Sequence, residues 1–457
     1  MKNKKLKKVK LSITDFALPA PRKGSIDSNS GFGRGTQTGI EIHQRVQTEK
    51  LRLDPSYKAE VIISQTFERE DYLFEISGRI DGLFERENPK IEEIKSGFNI
   101  HDLARQLRDT EEDHPYCLQL KTYGYFYHLQ NQKIPELNMH LVSSRNFESL
   151  DLEMKLNLKV YEAWLELRLL ELVGEARIAE KRSVRRKKAS GNLQFPFLKP
   201  RSGQVELIET IQQTMKEDRP MLIQAPTGSG KTIGVLYPTL QEALSRGQKV
   251  IYVTPKNSQH SVAEEAIEKM QEKGAAIKSM TLTAKSKMCF KNEPICNPEF
   301  CEFAKDHYTK VAENNLLADL AKKRSLTERT FKKMAEENQV CPFELQLAAV
   351  TEADAIICDY NYVFAPRALL SKSTGLALDQ EGLPNLVIDE AHNLPARSMD
   401  YYSPMLSTFI LERMRDDLNA LPKKFRKDAR ELLDECIQVV RASGPKNCQK
   451  SLPINHR

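Results

Sequence analysis

Apolar positions first recur at helical spacing in T-G-I-E-I-H-Q-R-V-Q, which begins at Thr38 and puts Gly39 and His43 one turn apart. Alternating and β-branched residues then mark residues 60–65, 72–78 and 79–84, a period of two that predicts three strands of an antiparallel sheet, with Asp81 in the third. After the turn E-N-P-K, residues 91–95 read I-E-E-I-K, a strand that presents Glu93 and Lys95 on one face. Gln119 and Tyr123 follow at helical spacing in Q-L-K-T-Y-G-Y-F-Y. A strand over 138–142 and a helix over about 152–179 close this first region.

A second pattern begins near Phe195. Met221-Leu222-Ile223 predicts a short strand leading into the glycine-rich turn A-P-T-G-S-G-K-T, and I-G-V-L-Y continues as helix. In such a strand, loop and helix, the backbone at Gly228, Ser229 and Gly230 faces a polyphosphate, Lys231 reaches the β- and γ-phosphates, and the Thr232 hydroxyl ligates Mg²⁺. The carboxylate partner stands far downstream, where Leu386-Val387-Ile388 ends in Asp389-Glu390-Ala391-His392. Asp389 would hold the metal through water, and Glu390 would orient and deprotonate the attacking water.

A chain of 457 residues with 40% hydrophobic residues predicts two to four domains with sizeable cores. The net charge of +6 neither demands nor excludes nucleic acid, but lysines crowd residues 1–10 and a second basic block fills residues 181–188. No apolar run reaches membrane length and no signal-peptide core follows the lysines, so a cytoplasmic protein is expected. Of eight cysteines, Cys289, Cys296, Cys301 and Cys341 fall in one stretch as C-x6-C-x4-C-x39-C, a ligand set for an iron–sulfur cluster or for zinc. Zinc ribbons usually bring C-x2-C knuckles, which these gaps are not. Cys117, Cys358, Cys436 and Cys448 show no ligand spacing.

Two resemblances follow from these motifs. A-x-T-G-x-G-K-T with D-E-A-H resembles superfamily-two helicases. Adding the four cysteines ending in C-P-F-E, then A-D-A-I-I-C-D-Y-N-Y-V-F and V-I-D-E-A-H-N-L, the stretch from Phe195 to Arg397 resembles the XPD/DinG family of iron–sulfur DNA helicases. That resemblance implies a 4Fe-4S cluster, ATP with Mg²⁺, and 5′ to 3′ movement on single-stranded or forked DNA. It also implies that Arg201 and Gln204 recognise adenine and that Thr254, Lys256 and Ser258 hold strand phosphates. In the first region, His43, Asp81, Glu93-x-Lys95 and Gln119-x-x-x-Tyr123 resemble, in that order, the RecB-type branch of the PD-(D/E)XK nucleases. This implies His43, Asp81 and Glu93 as ligands of Mg²⁺ or Mn²⁺, Lys95 as the catalytic lysine, and Gln119 and Tyr123 as supporting or DNA-contacting residues.

The expected architecture is therefore α/β, a PD-(D/E)XK nuclease-like domain followed by one RecA-like P-loop domain with an iron–sulfur insertion. The boundaries expected are a basic flexible segment over 1–35, the nuclease domain over 36–180 and a basic linker over 181–199. The RecA-like domain then spans 200–395 with the cysteine insertion at about 281–345, and 396–457 begins a helical, arch-like part. No Q-x-x-G-R-x-x-R stretch is present. A second RecA-like domain, with its arginine finger, is expected from continuing sequence or from a separate chain. The function expected is the N-terminal part of a nuclease–helicase acting in DNA repair or processing. A DNA-binding scaffold and a nucleotide-regulated nuclease without motor activity are the alternatives.

Overall fold

The computed structural model describes residues 6–443 apart from 19–23, 27–35, 98, 145, 227, 256–258, 293–295, 297, 299, 366–369, 371–382, 404–405 and 419–422. The chain forms two compact units, Met1–Ala391 and His392–Arg457.

The first unit contains two sheets. One comprises β1 (Lys7–Ser12), β2 (Tyr57–Arg69), β3 (Tyr72–Phe84), β4 (Lys90–Gly97), β5 (Glu136–Ser143) and β6 (Ser149–Met154), ordered β1-β3-β4-β5-β6 with β2 also paired to β3. It is mixed rather than antiparallel, because β1 runs parallel to β3 and β4 parallel to β5. β1 pairs with residues 72–77 of β3 and β4 with residues 82–84, which leaves a gap in the ladders at 78–81. Asp81 lies in that gap.

Two expectations fail here for physical reasons. Residues 72–84 make one strand, not two: Gly78 is no break but a close approach, where a Cβ would lie 3.0 Å from Ile13 and 3.1 Å from Tyr123. Residues 7–16, expected within a flexible segment, form β1 and a short helix. Val9 and Leu11 point inward, the lysines outward, and Ile13 and Phe16 are fully buried. The lysine count masked that alternation.

Helix Thr36–Leu53 covers one face of the sheet through Ile42, Ile94 and Val142. Helices Pro115–Asn131 and Leu158–Gly191 share the larger core with residues such as Ile91, Leu120, Phe126, Leu165 and Leu172. Neighbouring residues of β4 thus serve opposite faces, which is what separates Glu92 from Glu93.

The second sheet is wholly parallel, built from β7 (Val250–Thr254), β8 (Ser279–Thr281), β9 (Ser325–Leu326), β10 (Ala355–Asp359) and β11 (Asn385–Ile388), in the order β11-β7-β10-β8-β9. β7 and β10 are buried along their whole length, as interior parallel strands covered by helices should be. The strand expected at 221–223 does not form, and Leu222 is 92% exposed. Three apolar residues do not make a strand without a partner edge.

The basic block at 181–188 is not a linker. It lies inside the 34-residue helix Leu158–Gly191, which runs from the first core to the second sheet. Arg185 and Arg186 converge on Asp354 at 2.5 and 3.1 Å, Arg182 pairs with Glu352, and Arg186 also donates to the Gly247 carbonyl at 2.8 Å. Arg186 and Asp354 are both fully buried, and Asp354 further accepts the Lys278 amide. Removing one partner of such a pair strands the other, so Asp354→Ala should destabilise the chain by about 3–5 kcal/mol. Urea unfolding measures this, and a loss under ~1 kcal/mol would mean the node carries no strain of that kind.

The second unit contains helices Leu394–Tyr402, Thr408–Asp417 and Lys423–Ser443. Arg415–Asp434 at 3.1 Å and Arg441–Glu412 tie the last two together beside Leu411 and Ile437. Among the described residues no helix is long and apolar enough to cross a membrane.

Candidate functional site

Past the pair Gly82–Glu92, β3 and β4 diverge, and Asp81 fills the opening: its Oδ2 accepts the Ile94 amide at 2.8 Å. His43 Nδ1 approaches the same oxygen at 3.7 Å. On β4, Lys95 Nζ lies 2.6 Å from Glu93 Oε1 and donates to Gln119 Oε1 at 3.2 Å, while Gln119 Nε2 donates to the Tyr123 hydroxyl at 3.3 Å. Gln119 and Tyr123 are buried, so they hold Lys95 in place; a DNA-contacting role is not what this geometry gives them.

Burial pushes the Asp81 carboxyl up to about 6, with the Ile94 amide pulling back, and the Glu93 carboxyl up to about 7, with Lys95 pulling back. Burial works most strongly against the Lys95 ammonium, but Glu93, Asp81 and Tyr116 together outweigh it and raise its pKa. The His43 pKa is lowered by burial and then by Lys95, which favours the neutral imidazole that ligates metals. Glu93 Oε2 is buried and has no partner. Asp81 and His43 lie together and Glu93 keeps an orphaned oxygen, but among the described residues the ligand atoms of His43, Asp81 and Glu93 do not all come within 4.8 Å of one another, so a divalent cation here would need the Glu93 carboxylate to turn from Lys95.

The sign of the pH dependence follows. Carboxyls whose pKa rises on folding contribute stability below their unfolded values, which is lost as pH climbs through about 6 and about 7. The metal-free protein should therefore lose thermal stability between about pH 5 and 8, and Mn²⁺ should bind more tightly across that range with proton release. Calorimetric titration at several pH values checks this; pH-independent binding without proton release would contradict it.

The other face of β4 holds a group that the sequence reading missed. Ligand atoms of Glu92, His140 and Asp151 lie within 4.8 Å of one another. His140 sits opposite Asp151 in the β5–β6 register and bonds it at 2.7 Å, and Asn138 Nδ2 donates to both Asp151 and Glu92. Lys50 Nζ, 2.5 Å from Glu92, already supplies a positive charge, so this reads as an ion-pair network that is buried at Glu92 and open to solvent at Asp151. A signal existed: the first glutamate of I-E-E-I-K, Glu92, must find a partner if its face is covered.

In the second sheet's site, Gly228 and Gly230 adopt φ of +77° and +75°, and helix Lys231–Ser245 starts directly after them. Gln204 Nε2 donates to the carbonyls of Ser229 and Gly230 at 3.2 and 3.0 Å, and Arg201 donates to that of Gly228 at 2.6 Å. A Cβ on Gly230 would strike Gln204. Arg201 and Gln204 thus brace the loop, whereas the expectation gave them adenine. Lys231 Nζ lies 3.8 Å from Glu390 Oε1. Two tyrosines not foreseen complete the site. Tyr252 of β7 is buried beside Asp389 and Thr232, where burial and then Asp389 hold its hydroxyl protonated, and the Tyr360 hydroxyl donates to the carbonyls of Asp389 and Glu390 at 2.5 and 3.0 Å. The Tyr360 bonds pin a turn in which Glu390 has φ of +50°. Thr254 is fully buried, so the strand-phosphate contact expected of it is not available; Lys256 and Ser258 lie outside the described residues.

Cys289, Cys296, Cys301 and Cys341 line a single pocket with Ile26, Phe303 and Phe343. Burial pushes the Cys341 thiol up to about 11, so thiolates there need a cation. Among the described residues, no three of the sulfurs lie within 4.8 Å of one another. A single tetrahedral zinc with bonds of ~2.3 Å would need the sulfurs to close to ~3.8 Å. Cys117 and Cys358 are buried core residues, and Cys448 lies outside the described residues.

Loop, helix and carboxylate-bearing strand define a phosphate-loop nucleotide-binding domain. Residues 201–299 match the DEAD/DEAH box helicase family and residues 252–411 the DEAD_2 family, so this part of the chain is similar to XPD/DinG-like helicases. The chain is 22% identical over 288 residues to the general transcription and DNA repair factor IIH helicase subunit XPD/RAD3 of Saccharomyces cerevisiae, covering 54% of this chain and 36% of that protein. It is 23% identical over 278 residues to the ATP-dependent DNA helicase YoaA of Haemophilus influenzae, covering 53% and 41%. The chain thus spans about two fifths or less of these relatives. Solved structures described as an XPD helicase and a truncated XPD align with TM-scores of 0.40 and 0.37 at 20% and 21% identity. They cover 57% and 52% of this chain and 44% and 65% of theirs. Scores at that level do not define a common fold.

Proposed function

We propose that this chain carries the ATP-binding part of a DinG/XPD-type DNA helicase, moving 5′ to 3′ and holding a 4Fe-4S cluster, joined to an N-terminal metal-dependent DNA nuclease. The observation that carries the motor reading is the meeting of Lys231 with Glu390 at 3.8 Å across the phosphate loop, with the Tyr360 hydroxyl holding the turn at Asp389 and Glu390. In that arrangement Lys231 and the loop amides hold the phosphates, Thr232 and Asp389 hold Mg²⁺, and Glu390 orients and deprotonates water. The metal, when bound, neutralises charge on the phosphates.

In the nuclease reading, His43, Asp81 and Glu93 hold a divalent ion that polarises the scissile phosphate. Lys95, kept charged by Glu93 and aimed by Gln119, holds the attacking water or the phosphate oxygen. Helix Leu158–Gly191 with its Arg186–Asp354 anchor favours a second reading, in which nucleotide at the loop regulates cutting. The experiment that tests both is cleavage of single-stranded DNA with Mn²⁺, with and without ATP. Cleavage that ignores ATP removes the second reading, and no cleavage removes the first.

A further inference from the structure

The cysteine pocket has a wall that comes from the opposite end of the sequence. Ile26 is almost fully buried, in one apolar cluster with Cys301 and Ala304, and Cys296, Phe303 and Cys341 pack against them. Its amide donates to the Ala304 carbonyl at 2.9 Å. Around it, the Gly24 amide donates to Thr309 Oγ1 at 2.8 Å, the Tyr308 amide to the Gly24 carbonyl at 3.0 Å, and the Asp306 amide to Ser25 Oγ at 2.9 Å. Three residues thus make four hydrogen bonds to a segment some 280 positions away, enough to fix a short stretch of backbone. Gly24 takes φ of +86°, a conformation that a β-branched residue would strain.

We infer that residues 24–26 are the non-ligand wall of the cysteine-held metal centre, so that exchange of the metal with solvent is controlled by the segment that follows the first strand of the nuclease-like sheet. This rests on the reading that the four cysteines hold a metal. Ile26 supplies no ligand; it excludes water and chelators from the sulfur side that it covers. The same contacts run the other way. A pocket filled by its metal gives Ile26 a fixed surface to pack on, so the centre helps to anchor the N-terminal segment.

The test measures metal release from the purified full chain to an excess of chelator, read as metal content and, for iron, as absorbance near ~400 nm. Ile26→Asp should start with the wild-type metal content and release it about tenfold faster. Gly24→Val and Thr309→Val leave every pocket residue in place and should speed release in the same direction, which keeps the proposal testable if Ile26→Asp fails to fold. Wild-type release rates in the two outer variants, at equal initial loading, would overturn the inference while leaving the metal reading intact. A wild-type chain with no metal on its cysteines would overturn the metal reading, and the inference with it.

Discussion

Lys231→Ala should lower the affinity of the chain for MgATP by about 10²- to 10³-fold, because it removes the side-chain cation at the start of helix Lys231–Ser245, directly after the glycine turn. The loss is larger than a surface charge would give. Lys231 stands 3.8 Å from Glu390, and without it the carboxylates of Asp389 and Glu390 face the triphosphate with less to offset their charge. Glu390→Gln should behave in the opposite way, binding MgATP at least as well as wild type but failing to turn it over, since the group that activates water is gone. Equilibrium binding of a fluorescent ATP analogue separates the two. Equal affinity in wild type and Lys231→Ala would mean that the loop does not hold a triphosphate.

Asp81→Asn is the second large effect, and it should move activity and stability in opposite directions. Asn keeps an oxygen for the Ile94 amide, so the gap between β3 and β4 stays filled. It discards a carboxylate that burial has raised from 3.8 to about 6. At pH 7 to 8 that shift corresponds to about 3 kcal/mol of strain in the metal-free protein, so the variant should be the more stable one by a sizeable part of it. Metal-dependent DNA cleavage should fall by ~10³-fold or more, because one of two carboxylate ligands is lost. A variant that is both less stable and still active would show that Asp81 is a structural residue.

Two neighbour relations in the first sheet's cluster were legible in the sequence. Glu93 and Lys95 share a face through strand alternation alone, Gln119 and Tyr123 share one through helical spacing, and both relations survive folding unchanged. What could not be read is everything set by register between distant segments. The pairing of His140 with Asp151 depends on how β5 meets β6, and that of Tyr252 with Asp389 on how β7 lies beside β11. The basic block at 181–188 looked like a solvated run because charge says nothing about burial; Arg186 is buried only because Asp354 and the Gly247 carbonyl receive it. The phosphate loop was plain, but its preceding strand was not secured by three apolar residues once the sheet ended at β11. Ile26 carried no signal at all, since one isoleucine among Gly, Ser and Lys gives no periodicity.

Anomalous diffraction from crystals of the full chain grown with Mn²⁺ tests the central claim most directly. The account predicts a manganese peak bounded by His43, Asp81 and Glu93, with the Glu93 carboxylate turned from Lys95 toward the ion. Manganese lodged instead among Glu92, His140 and Asp151, with Asp81 and Glu93 left bare at pH 8, would contradict it.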